Sequence, residues 1–422
     1  MPARSSSLAP DAGRSTAGGR LRRLQGGGTA RPMDLDAGLG YGQPNGQLTN
    51  ELEHRHGGCD QLRGAILYEL GAESLEVRDD IELLRGPGPG EVLLEVKATG
   101  LCHSDLSGMN GTIPAPTPAI LGHEASGIVT EVGPGGAPNV NVGDHVVVSL
   151  IPPCGACNFC VGGQANLCDS VVNPFQVPPK FKAGGEEIFP FGGIGSFTEQ
   201  IVLPYQAVIP IERDVPFDIA CLIGCGVLTG VGAVFNAARL VPGSNVVVFG
   251  CGGVGMSVIQ GAKIAGAAEI VAVDRVESKF TEAKAFGATH AVTPGQLTEV
   301  GDSIHGGLGF DYSFECVGLP STIRDAFDAA RRGGNVTIVG AGSFEQTVEF
   351  TAFELFYFER KMMGTVYGSS DVRRDCPKLL RLWRSGRLDL DAMVSRRLKI
   401  DDINEGMRAM AAGEVVRSVI EF

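Results

Sequence analysis

Asn245-Val246-Val247-Val248-Phe249 runs without a break into Gly250-Cys251-Gly252-Gly253-Val254-Gly255, and this stretch decides the fold. The valine-rich run reads as a buried strand, and a helical pattern follows from 254 to about 265. Asp274 ends the next strand, nineteen residues beyond Gly255. A lone G-x-G-x-x-G is weak in a chain with 61 glycines. Set between a buried strand and a helix, with an acid at the end of the following strand, it predicts a dinucleotide-binding turn. Gly250 permits the tight turn, Gly252 lets the backbone approach a pyrophosphate, and Gly255 lets helix and strand pack closely. Gly253 and Val254 open the helix, whose free N–H groups would face the phosphates. Asp274 can accept hydrogen bonds from both ribose hydroxyls and would repel a 2′-phosphate, which favours NAD over NADP. Arg275 beside it weakens that preference, and Lys279 can also reach the ribose.

Working outward, further apolar strand candidates at 270–273, 312–314 and 336–339 alternate with helical patterns, predicting a doubly wound parallel sheet. The chain before about Leu203 is different in style. Gly86-Pro87-Gly88-Pro89-Gly90 is a turn into an alternating strand at 91–96, followed by strands at 126–132 and 145–150. These short strands with Gly/Pro punctuation predict a barrel-like, mostly antiparallel half. The expected class is α/β. A nucleotide-binding domain would cover 227–366, and a second domain 61–226 with 367–422. Residues 1–60 are rich in Gly, Ser and Arg and read as a disordered extension, with a transit peptide as the alternative. His54 and His56 within it read as solvated.

Cys154-x2-Cys157-x2-Cys160-x7-Cys168 places four thiols within fifteen residues. Thiolates at this spacing converge on one tetrahedral ion, and four of them leave no open position, so structural zinc is expected. An iron–sulfur cluster is the minority alternative. The 422 residues, 43% hydrophobic and 20% charged, fit a globular protein large enough for two cores. A net charge of −13 argues against nucleic acid or an anionic membrane as partner. No apolar run is read as approaching the ~20 residues of a membrane span. Eleven cysteines in a chain of this length, with metal-type spacing, favour a reducing, cytoplasmic setting. Cys59, Cys221, Cys251, Cys316 and Cys376 read as small apolar filler.

Cys102 lies in Gly100-Leu101-Cys102-His103-Ser104-Asp105, His123 in Gly122-His123-Glu124, and Cys225 in Gly224-Cys225-Gly226. Spacing alone does not join these three. With the cysteine lobe, the glycine turn and the ending Gly413-Glu414-Val415-Val416-Arg417-Ser418, however, the chain resembles the zinc-dependent medium-chain alcohol dehydrogenases over about residues 63–422. It is nearest to their class III and bacterial members. The resemblance implies a GroES-like catalytic domain and a Rossmann domain. It also implies two zinc ions per chain, exchange of a primary alcohol and an aldehyde with NAD, and a homodimer or homotetramer. Cys102, His123 and Cys225 would hold the catalytic zinc, with Asp105 orienting His123 and Glu124 behind the metal. His103 and Arg417 would approach the pyrophosphate, Thr229 the nicotinamide, and Ser104 would take the substrate proton.

Two departures from the family pattern bear on the chemistry. Many relatives end the proton relay in a histidine where this chain has Ser107, and serine is no base near neutral pH. Relatives acting on glutathione adducts carry an arginine shortly after the fourth lobe cysteine, whereas Cys168 is followed here by Asp169-Ser170-Val171-Val172. A thiol-adduct formaldehyde dehydrogenase, or a relative with permanently bound nicotinamide, is therefore the alternative enzyme. A nucleotide or zinc sensor on the same fold is the alternative outside enzymes. Leu150 is a guess for the wall of the substrate pocket.

Overall fold

A computed structural model describes residues 61–169 and 177–422. The expected extension 1–60, with His54, His56 and Cys59, lies outside the described residues, as do Ser170, Val171 and Val172. Strand Asn245–Phe249 is central in a six-stranded parallel sheet. Across the sheet the order is His290–Val292, Glu269–Val273, Asn245–Phe249, Phe310–Glu315, Ala330–Ile338, Lys361–Gly364. Chain order therefore reverses beside Asn245–Phe249, as in a doubly wound Rossmann sheet, and the crevice at that reversal is where such folds take ligands. Val246 and Val248 enter one hydrophobic core and Val247 and Phe249 another, so this strand is apolar on both faces.

The antiparallel half contains a seven-stranded sheet and a closed barrel. The sheet runs Val208–Ile211, His145–Val148, Glu124–Val132, Glu91–Gly100, Arg417–Glu421, Val394–Leu398, with Gln200–Pro204 also paired to Glu91–Gly100. Only Val394–Leu398 and Arg417–Glu421 pair in parallel there. In Glu91–Gly100 the alternation read from sequence is realised: Val92, Leu94 and Val96 are buried while Glu91, Leu93 and Glu95 are partly exposed. The barrel closes through Leu62–Leu67, Glu76–Leu83, Phe181–Ala183, Glu186–Pro190 and Ala119–Ile120.

One sequence expectation needs correction. Phe217–Ala238 forms a helical stretch of 22 residues that is apolar and long enough to span a bilayer, with 89% of its most apolar window buried inside the protein. Gly224, Gly226, Gly230 and Gly232 interrupt its bulky residues, which hides the run from a reading by eye. They serve close packing instead. A Cβ on Gly230 would come within 2.5 Å of Ser257 on the helix Gly253–Ala265, so the two helices touch backbone to side chain.

Candidate active site

Cys102, His123 and Cys225 come from three separate elements. Cys102 is the N-cap of helix His103–Met109, directly after strand Glu91–Gly100. Its backbone N–H donates to Asp105 Oδ2 at 3.0 Å. His123 precedes strand Glu124–Val132, and Cys225 lies in the π-helical turn Ile223–Val227. One ligand atom from each of Cys102, His123, Glu124 and Cys225 lies within 4.8 Å of all the others, and all four residues are buried.

Asp105 organises this cluster. Its Oδ1 lies 3.0 Å from His123 Nδ1 and accepts the Gly122 N–H at 3.1 Å. The opposite nitrogen, His123 Nε2, is buried with no hydrogen-bond partner. An unfilled ring nitrogen facing two thiols suits a metal ion, for which imidazole and thiolate are the common zinc donors. Burial pulls the His123 pKa down, while Asp105 and the Cys102 sulfur together raise it, so this pocket favours positive charge at the ring, the place a bound cation would take. The hydrogen bond from Cys225 holds Cys102 well below the ordinary thiol value, and the same bond pushes Cys225 up. The pair shares one proton between its sulfurs, and a metal ion would displace it, since both cysteines ligate as thiolates.

The lobe cysteines form a second group, again within 4.8 Å of one another. Cys154 and Cys160 sulfurs are 4.0 Å apart and those of Cys157 and Cys168 3.9 Å. A tetrahedron with bonds of ~2.3 Å has edges of ~3.8 Å, so the four are spaced for one ion. Backbone N–H groups of Cys157 and Cys160 point at the sulfurs of Cys154 and Cys157, at 3.3 and 3.4 Å. Such bonds stabilise thiolate charge.

The glycine turn has the geometry expected of a cradle. A Cβ on Gly255 would sit 1.7 Å from the Gly250 carbonyl, so that close approach demands glycine. A Cβ on Gly252 would meet nothing within 4 Å. Packing does not explain that glycine, and it faces open space. Helix Gly253–Ala265 starts there with no side-chain cap, leaving its first N–H groups for a ligand.

Two regions match known families: residues 88–213 the alcohol dehydrogenase GroES-like domain, and 253–385 zinc-binding dehydrogenase. The S-(hydroxymethyl)glutathione dehydrogenase of Paracoccus denitrificans is 38% identical over 86% of this chain and 100% of its own length. Alcohol dehydrogenase class-3 of Cereibacter sphaeroides is 37% identical over the same shares. The benzyl alcohol dehydrogenase of Acinetobacter calcoaceticus superposes with a TM-score of 0.78, 31% identity, and coverage of 86% and 99%. The chain belongs to the zinc-dependent medium-chain alcohol dehydrogenases. It is an oxidoreductase of that family.

Within this alcohol dehydrogenase, Asp274 is bound more tightly to the protein than expected. Its Oδ2 accepts the Cys251 N–H at 2.7 Å, its Oδ1 the Val276 N–H at 2.9 Å, and Lys279 Nζ lies 3.3 Å away. A carboxylate has about four acceptor sites, so capacity for a ribose hydroxyl remains. Arg275 is exposed, and Val254 is partly buried. Arg417 is buried and ion-paired to Glu124 Oε2, while Glu124 Oε1 accepts the Gly226 N–H at 3.2 Å. Arg417 also packs on Gly253, whose added Cβ would lie 2.4 Å from Arg417 Cδ. The arginine expected at the pyrophosphate therefore stands beside the cradle but bonds inward to Glu124, linking it to the metal cluster. His103 has an exposed edge, yet partial desolvation lowers its pKa, with Cys102 opposing and Arg417 and Lys279 adding to the fall.

Ser104 Oγ lies 3.8 Å from Cys102 Sγ, and Thr229 is buried one turn after Cys225, close enough to bond its sulfur. Ser107 sits further along the same short helix as Ser104. Sequence reasoning missed Phe191, whose ring meets His123 edge-on at 6.0 Å between centroids. It missed Glu315 too, a buried carboxylate holding the Val317 and Gly318 N–H groups at 2.8 Å each, beside Gly250. Phe191 belongs to no spacing pattern, whereas Glu315 directly follows the predicted strand 312–314 and ends the observed strand Phe310–Glu315, a usable signal. Leu150 is partly buried, with its Cδ1 3.3 Å from where a Cβ on Gly192 would stand.

Proposed function

We propose that this enzyme interconverts primary alcohols and aldehydes with NAD. One zinc would be held by Cys102, His123 and Cys225, and a structural zinc by Cys154, Cys157, Cys160 and Cys168. The observation that carries the reading is the buried, unpartnered Nε2 of His123 facing two cysteine sulfurs. When bound, zinc would acidify the substrate hydroxyl or polarise the carbonyl, and the nicotinamide would exchange the hydride. The residues supply the rest. Asp105 takes the Nδ1 proton of His123 as a hydrogen bond and so keeps Nε2 free to ligate. Three protein ligands leave a fourth position for substrate, whereas the lobe's four sulfurs leave none. Ser104 Oγ receives the substrate proton while its own hydroxyl proton passes on toward solvent. Ser107 cannot complete that transfer as a base, so water ends the relay.

The Asp274 carboxylate supports NAD over NADP. The exposed edge strand Lys361–Gly364, together with exposed Phe353 and Phe356, supports assembly with a second copy. A panel of primary alcohols assayed by formation of reduced nicotinamide tests the reading. The expected result is turnover with NAD preferred over NADP by about tenfold or more. Protein carrying two zinc ions but reducing neither cofactor with any alcohol would reject it. The name of the Paracoccus relative favours one second reading, oxidation of S-(hydroxymethyl)glutathione. Formaldehyde oxidised only when glutathione is added would establish that substrate.

A further inference from the structure

Tyr367 and Ser369 are non-glycine residues with left-handed backbones, φ 57° and 51°, and Gly368 between them has φ 64°. A bulky aromatic residue rarely adopts this conformation, and its persistence requires surroundings that hold it. The surroundings here are the metal-bearing helix. A Cβ on Gly368 would lie 2.4 Å from the Thr229 carbonyl, and one on Gly232 2.3 Å from Ser370 Oγ. Tyr367 is buried, and its hydroxyl donates to the Gly224 carbonyl, one residue before Cys225. Gly224 belongs to the π-helical turn Ile223–Val227, a widened turn of the kind that gathers at functional sites. The turn bearing Tyr367 reaches the cysteine lobe as well, since Asn166 Nδ2 donates to the Val366 carbonyl at 3.1 Å.

We propose that Tyr367 is a positioning residue for the metal centre: its hydroxyl holds the Gly224 carbonyl and so sets where Cys225 presents its sulfur. The residue touches neither metal nor substrate and acts through one backbone unit. It follows the last strand of the nucleotide-binding sheet, so it ties that sheet to a ligand of the catalytic metal. This inference rests on the reading of Cys225 as a zinc ligand.

Tyr367→Phe tests it, because the ring is kept and only the hydroxyl is lost. The full-length, zinc-loaded wild type and variant are challenged with a metal chelator, and zinc release is followed alongside residual activity and thermal unfolding. Removing a group that orients a ligand costs ~10–100-fold in metal affinity. The expected result is release about tenfold faster for the zinc whose departure abolishes activity, with the other zinc, the KM for NAD and the unfolding temperature unchanged. Equal release rates in wild type and variant would overturn the proposal and leave Tyr367 as packing. Faster loss of both zinc ions with a lowered unfolding temperature would overturn it too, showing a general loosening. A wild type holding a single zinc would instead defeat the reading of Cys225, and this inference with it.

Discussion

Asp105 Oδ1 stands 3.0 Å from Nδ1 of His123, and the other ring nitrogen of His123 is buried with nothing to bond. One carboxylate thus fixes the histidine tautomer, receives the Gly122 N–H and closes the helix cap at Cys102. Asp105→Asn keeps the shape but replaces an acceptor with an N–H donor, which must face one of these three donors. Zinc content at the catalytic site and turnover should both fall by ~10–100-fold, while the lobe zinc stays. Unchanged zinc and turnover would show that Asp105 is only a helix cap.

Arg417 and Glu124 are both buried and bonded to each other. Glu124→Gln leaves the guanidinium charge without its partner, and removing one member of a buried pair costs ~3–5 kcal/mol. Denaturant unfolding should show a loss of that order. A loss under ~1 kcal/mol would mean that other groups or water already satisfy Arg417.

Asp274 holds the glycine turn and, in the proposed NAD site, would also hold the ribose. Asp274→Ala removes the acceptor of the Cys251 and Val276 N–H groups. It also removes the charge that would oppose a 2′-phosphate. The KM for NAD should rise by ~10-fold or more, and kcat/KM with NADP should rise relative to NAD. If the NADP-to-NAD ratio does not move, the carboxylate is purely structural.

Lys180 offers a pH test away from the site. Its ammonium donates to the Gly193 and Val202 carbonyls at 2.9 and 2.7 Å, and burial pulls its pKa from 10.5 to about 8, with Arg85 adding and Glu91 opposing. The folded pKa lies below the unfolded one, so unfolding takes up protons in that window. Stability linked to Lys180 is present above pH 10.5, declines as pH falls, and is lost through pH 8. The stability of wild type relative to Lys180→Met should therefore rise between pH 8 and 10.5. A flat difference across that window would show that Lys180 titrates normally in the fold.

Local signals were legible and tertiary ones were not. Asn245 to Gly255 could be read because strand, turn and helix are consecutive, with Gly250, Gly253 and Gly255 in close contacts and Gly252 facing open space. The clustering of the cysteine lobe was legible for the same reason, its four thiols falling within one loop. Cys102, His123 and Cys225 could be joined only through resemblance, because three elements bring them together. The barrel strands Ala119–Ile120, Phe181–Ala183 and Glu186–Pro190 are too short to show a period. The inward turn of Arg417 toward Glu124 depends on strand Arg417–Glu421 returning beside Glu91–Gly100, a pairing across most of the chain. Phe217–Ala238 was missed because its glycines serve helix contacts that only the packed structure reveals.

Zinc stoichiometry in wild type, Cys102→Ser and Cys157→Ser, read with NAD-dependent alcohol oxidation on the same samples, tests the central claim most directly. The account predicts two zinc ions per chain in the wild type. Cys102→Ser should keep the lobe zinc, lose the other and be inactive, and Cys157→Ser should lose the lobe zinc. Full activity in Cys102→Ser, or a wild type whose single zinc survives that substitution, would contradict it.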